Sequence, residues 1–225
     1  MKLRYFSHSA FQLTTSAGNK ILIDPFLSGN PTSPVKAKDV AADYIILTHA
    51  HGDHLGDGFE IAKRCNSTFI CVNELAEYCK TKGFKAHNMH IGGGHNFDFG
   101  RVKFTIAHHG SMTPEKQYAG EPAGVIISAE GKTVYHTGDT GLFYDMKLIG
   151  EMIPIDYMLH PIGDNFTMGI TDAAKAVELV SPKLAIPMHY NTFPIIAADP
   201  NEFKRITESK GLKVRVLNFG EEIEL

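Results

Sequence analysis

No stretch of this chain approaches the roughly 20 consecutive apolar residues that a membrane-spanning helix requires, and its opening lacks the apolar core of a secretory signal. A cytoplasmic protein with no membrane partner is therefore expected. Basic residues form no block either. The 22 Lys and Arg are scattered against 25 Asp and Glu, for a formal net charge of −3, so composition announces no extended surface for a polyanion. Cysteine is scarce: Cys65, Cys71 and Cys79 are odd in number, lack CxxC spacing and read as buried free thiols rather than ligands.

What is present is material for a core. With 43% hydrophobic and 10% aromatic residues in 225, and no visible linker, residues 1–225 read as one globular domain. Strand-like segments are expected at 2–6, 10–15, 20–24, 43–48, 68–72, 101–109, 123–129, 132–139, 155–161, 183–190 and 213–219. Helices are expected at about 57–65, 74–82, 142–150, from Thr171 to Val180 and at about 199–210, with Thr171 as an N-cap and Ala174, Val177 and Leu179 or Val180 on the core face. Both halves run strands then helices, which favours two mixed sheets packed face to face with helices outside. "IGGGHN" (91–96) and "PTSPVK" (31–36) read as surface loops, and no Walker-type Lys-Ser/Thr follows Gly92–Gly94 to suggest a phosphate cradle.

Chemistry concentrates where strands stop. "ILTHAHGDHLGD" (45–56) places His49, His51, Asp53 and His54 directly behind an apolar strand. His49 and His51, two apart, can face one point, while Asp53 and His54, beyond the flexible Gly52, can turn toward a second. No apolar core benefits from four such groups together, whereas neutral imidazole and carboxylate suit zinc and related divalent ions. Later strands also run into candidate donors: His108 or His109 in "TIAHHG", Asp139 in "YHTGDTG" and His189 in "IPMHYNTFP".

HxHxDH after an apolar strand resembles the metallo-β-lactamase superfamily, and the resemblance extends over the whole chain. "FSHSAF", "ILIDPF", "HTGDTGLFYDM", "PIGDNFTMG" and "PMHYNTFP" narrow it to compact metal-dependent hydrolases of the UlaG-like lactonase branch, with N-acylphosphatidylethanolamine phospholipase D more distant. The resemblance implies a four-layer αββα sandwich and two divalent ions, zinc expected and manganese, nickel or iron the alternatives. It implies that His49, His51 and His109 hold one ion, that Asp53, His54 and His189 hold the other, and that Asp139 bridges them. Of the adjacent pair, His109 is favoured over His108, because consecutive strand residues face opposite sides and phospholipase relatives place their ligand after a similar "T-x-A-x" run.

The implied chemistry is attack by a metal-bridging hydroxide on a small ester, lactone or phosphodiester, with Asp53 and Asp139 as the candidate proton-handling carboxylates. A phosphodiesterase or nuclease acting on RNA or cyclic nucleotides is the alternative enzyme, and a noncatalytic metal-binding module the alternative to an enzyme. Asp24 resembles a carboxylate that orients a ligand imidazole. His8 and His136 are candidates for the edge of the site, and His160, Asp164, Asn165, Thr167 and Asn191 for substrate contact. Phe166 and Met168 read as packing beneath their loop, and His87, His90 and His95 as surface residues.

Overall fold

The computed structural model describes residues 1–225. Its first sheet begins as an antiparallel meander of β1 (Lys2–Ser7), β2 (Ala10–Thr14) and β3 (Lys20–Ile23), then continues in parallel through β4 (Tyr44–Ile46), β5 (Thr68–Val72) and β6 (Lys85–Met89). A short turn only reverses the chain, whereas a parallel neighbour needs a crossover. Here α1 (Gly52–Leu55) with α2 (Gly58–Cys65), and then α3 (Asn73–Thr81), supply the crossovers after β4 and β5.

The second sheet repeats the plan. Strands β7 (Gly94–Phe97), β8 (Gly100–Ile106), β9 (Ala123–Ala129) and β10 (Lys132–His136) are antiparallel, and β11 (Tyr157–Pro161) and β12 (Leu184–Met188) extend them in parallel across α4 (Met146–Met152) and α5 (Ile170–Val180). After α6 (Pro200–Glu208), β13 (Glu222–Glu224) returns to the first sheet, antiparallel to β1. The orders are β13-β1-β2-β3-β4-β5-β6 and β12-β11-β10-β9-β8-β7, two mixed sheets with helices, as the resemblance implied. No helix is long and apolar enough to cross a membrane.

Strand alternation divides the interior. Val125, Ile127, Val134, Leu159 and Ile186 of the second sheet join the first sheet's residues in a cluster of 41 buried side chains. Their neighbours Ile126, Tyr135, Met158 and Ala185 point the other way, into a cluster of 16 with Ala174, Val177, Val180 and Phe203 from α5 and α6. A sheet covered on both faces needs this near-continuous apolar character, which explains why "AGVIISA" shows no polar alternation.

Several expected boundaries move. The strand expected at 101–109 stops at Ile106, and the helix expected at 142–150 spans Met146–Met152. Thr171 lies inside α5, whose N-cap is Gly169, so it caps nothing. Residues 94–96 of the expected loop belong to β7, and Lys85–Met89 form a strand that their polar composition hid. The segment 213–219 alternates like a strand but makes a single bridge, Val214 to Ala185. A turn at Gly220, with its N–H on Tyr5 O, then sends the chain to β1 instead. Cys71 and Cys79 are buried, whereas Cys65 is only half-buried; all three are free.

Candidate metal centre

Asp24, His49, His109, Asp139 and His189 all stand within three residues after a strand, at the ends of β3, β4, β8, β10 and β12. Sheet pairing therefore gathers residues from distant parts of the sequence at one rim. Local backbone aims them. Asp24 (φ 44°) and His189 (φ 54°) sit in the left-handed region, which an L-residue adopts at a cost of about 1–2 kcal/mol. Gly138 (φ 63°) precedes Asp139 with its Cα so close to the β9 backbone that a Cβ would lie 2.6 Å from Ala123 O. Asp53 and His54 share α1: His54 turns fully inward, whereas the Asp53 side chain keeps 33% exposure.

All seven expected donors come together. His49 Nε2 lies 3.0 Å from His51 Nδ1, and the His109 ring is 5.1 Å from each of theirs. Asp139 Oδ2 is the hub, 3.2 Å from His54 Nε2, 3.0 Å from His189 Nε2 and 3.7 Å from His109 Nε2. His49, His51 and His109 offer donor atoms within 4.8 Å of one another, as do His49, His54 and Asp139, and as do His8, Asp53, His54 and His189.

This donor set fits divalent ions. His54 Nε2, His189 Nε2 and Asp139 Oδ1 are buried without a hydrogen-bond partner, a cost that buried polar atoms otherwise avoid and that coordination removes. Burial lowers His49 well below the ordinary histidine range and also lowers His51 and His109, keeping these imidazoles neutral, the form that binds metal. At His54 burial opposes charge, but Asp139 and Asp24 outweigh it and raise the group. Burial would likewise raise Asp139, yet the charges of His189 and His54 hold it well below the carboxylate range.

The supporting residues resolve clearly. Asp24 accepts from His54 Nδ1 at 2.7 Å, from Thr48 Oγ1 at 2.6 Å and from Thr48 N–H at 2.9 Å, fixing the ring that carries the inward Nε2. His136 bridges the halves: Gly138 N–H donates to its Nδ1 at 3.1 Å and its Nε2 donates to Ser9 O at 3.0 Å. His8 is buried beside Asp53 and His189. Thr48 and Thr192 were not singled out in the sequence, although each lies one to three residues from a donor histidine.

Other candidates lie elsewhere. His108 is neither buried nor among the donors; its ring turns to Phe143, 5.0 Å away. His160 is buried on the far side of the second sheet, 5.0 Å from the Phe203 ring. Asn191 Oδ1 accepts from Ala198 N–H and shapes its own loop. Asp164 and Asn165, both with positive φ, make a turn, and Asp164 lines a hollow of about 470 Å³ between the starts of α5 and α6. Thr167 Oγ1 is buried without a partner. The larger hollow contains no imidazole; the donors open instead into a cavity of about 230 Å³ lined by His51, Asp53, His109, Asp139, Phe166 and His189. Phe166 therefore belongs to the cavity wall and is 55% exposed, not packed beneath its loop as Met168 is.

Residues 19–190 match the beta-lactamase superfamily domain. Over their full lengths, the chain is 52% identical to a UPF0173 metal-dependent hydrolase of Carboxydothermus hydrogenoformans and 53% identical to one of Geobacillus sp.. Igni18, a metallo hydrolase from the hyperthermophilic archaeon Ignicoccus hospitalis, superposes with a TM-score of 0.91 at 42% identity, covering 100% of this chain and 98% of that one. With this fold and full-length kinship, the chain belongs to the metallo-β-lactamase superfamily, among its metal-dependent hydrolases.

Proposed function

We propose that this protein is a dinuclear, zinc-type hydrolase of small, uncharged or singly charged esters, lactones or phosphodiesters. The observation that carries the reading is the placement of Asp139 Oδ2 within 3.7 Å of three imidazole nitrogens while two separate donor groups flank it. His49, His51 and His109 would hold one ion, Asp53, His54 and His189 the second, and Asp139 would contact both. Divalent ions bound there supply a nucleophilic water at neutral pH and polarise the substrate's oxygen.

The chain's own groups do the rest. Asp24 keeps His54 in one tautomer, Asp139 would take a proton from the attacking water and return it to the leaving group, directly or through a water, and Asp53, the most exposed of the carboxylates here, would stay ionised as a ligand held by His8. No lysine or arginine lines the cavity, so negative charge on a substrate meets only the ions, while Phe166 offers an apolar wall to a substituent.

Elemental analysis of purified protein should approach two divalent ions per chain, and Asp139→Ala should lower both occupancy and turnover. A metal-reconstituted screen with lactone, phosphodiester and thioester substrates names the reaction class. Full activity after chelation to trace metal would sink the proposal.

A further inference from the structure

Of the three carboxylates at the centre, Asp24, Asp53 and Asp139, Asp53 is the least buried. Its side chain is 33% exposed, it rides on the four-residue α1, and Gly52 before it has no heavy atom within 4 Å of the position its Cβ would take. A single hydrogen bond holds its carboxylate, from His8. His8 lies outside the matched domain and outside the seven donors, on the turn between β1 and β2.

The surroundings of His8 are built rather than incidental. The side chain is 0% exposed, and the residue adopts the strained φ of 56° while its carbonyl accepts from His189 N–H at 2.8 Å and from Tyr5 Oη at 3.1 Å. Its ring packs 3.9 Å from that of His189. Nδ1 pairs with Thr192 Oγ1 at 2.9 Å and Nε2 with Asp53 Oδ2 at 3.2 Å.

Geometry separates His8 from the donors around it. His54 Nε2 and His189 Nε2 come as close to a carboxylate oxygen, 3.2 and 3.0 Å from Asp139 Oδ2, yet neither is aligned for a hydrogen bond and both remain without a partner. His8 Nε2 is aligned, and both of its nitrogens are satisfied. A carboxylate only accepts, so Nε2 carries the proton and the Thr192 hydroxyl donates to Nδ1.

From this geometry we infer that His8 is a positioning residue for Asp53: a Thr192–His8–Asp53 chain, anchored on the first sheet's opening turn and the loop after β12, holds the carboxylate beside His54 and His189, where it would take part in holding a second ion. The inference rests on the dinuclear reading for its consequence, not for its geometry. Partners that orient a ligand in this way are typically worth about 10–100-fold in metal affinity.

Two measurements test it. In metal-free protein, ring ¹⁵N shifts of His8 should report a protonated Nε2 and an unprotonated Nδ1; the opposite tautomer overturns the inference whatever the metal count. In titrations with Co²⁺ or Zn²⁺, His8→Phe should weaken one of the two binding steps about 10–100-fold, His8→Gln, which returns an N–H near the Nε2 position, should recover most of that affinity, and Thr192→Val should weaken the same step more mildly. The Co²⁺ absorption bands of only one site should change. Wild type taking up a single ion would break the dinuclear reading and leave the tautomer to decide this one. Two ions bound equally well by His8→Phe and Thr192→Val would overturn the positioning role. Loss in His8→Gln as deep as in His8→Phe would overturn it in favour of direct coordination. Should His8→Phe fail to fold, Thr192→Val and the tautomer still decide.

Discussion

At the scale of single residues, neighbours in sequence have unrelated fates. His109 reaches the centre while His108 turns to Phe143, because the strand has already ended at Ile106 and the loop, not the pleat, orients them. His109→Ala should therefore cost metal affinity heavily, whereas His108→Ala should bind metal nearly as wild type does; calorimetric titration giving the reverse order would reject this assignment. His160 makes a different prediction. Burial pushes it down to about 4, and its Nε2 has no partner. Its folded value lies below the ordinary 6.5, so the unfolded chain takes the proton more readily, and stability present above about pH 6.5 is lost as the pH falls toward 4. The full loss is roughly 3 kcal/mol at about 1.36 kcal/mol per pH unit. In metal-free protein His160→Leu should abolish that acid-linked loss, so in denaturation curves the variant should gain stability relative to wild type as the pH falls from about 6.5 toward 4. Parallel curves from pH 7 to 4 would refute it.

Elements explain why the donors meet. Each sheet changes from antiparallel to parallel pairing, and the crossovers deliver strand after strand pointing toward the same rim. The connection after β10 has little freedom, since Gly138 (φ 63°) lies against Ala123 O of β9. Gly138→Ala should cost at least about 1–2 kcal/mol from the left-handed backbone alone, a fall in the melting temperature of several degrees for a chain of this size, and it should displace Asp139 enough to weaken metal binding as well. An unchanged melting temperature would show that the loop can yield. The same scale shows how an alternating pattern misleads: "KVRVLNF" has the composition of a strand, yet only Val214 finds a partner, because strand formation needs a neighbour's free edge along its whole length.

For the whole molecule, charge bears on the choice between a small substrate and RNA. With a net charge of −3 and no lysine or arginine in the cavity, kcat/KM should vary little between low and moderate salt, whereas RNA gripped by a basic surface would be lost steeply through counterion release. Competition between structured RNA and a small cyclic phosphodiester at two salt concentrations decides it; a strong, salt-sensitive preference for RNA would move the protein to the nuclease class. Much of this was legible in the chain itself. The HxHxDH cluster, the later donors at strand ends and the strand-helix order are local properties, set by residue type and spacing; they carried the resemblance to the family, and it was the resemblance that implied the seven residues the fold brings together. Three things were not local. Lys85–Met89 and Gly94–Phe97 became strands because an existing sheet edge recruited polar segments with weak preferences of their own. Phe166 was placed on the cavity wall by a turn at Asp164 and Asn165, not by its hydrophobicity. His8 came to hold Asp53, 45 residues away, only because the opening hairpin and the loop after β12 close over α1. Residue chemistry declares what a side chain can bind, but which partner it meets is decided by long-range packing, and that exists only in the folded chain.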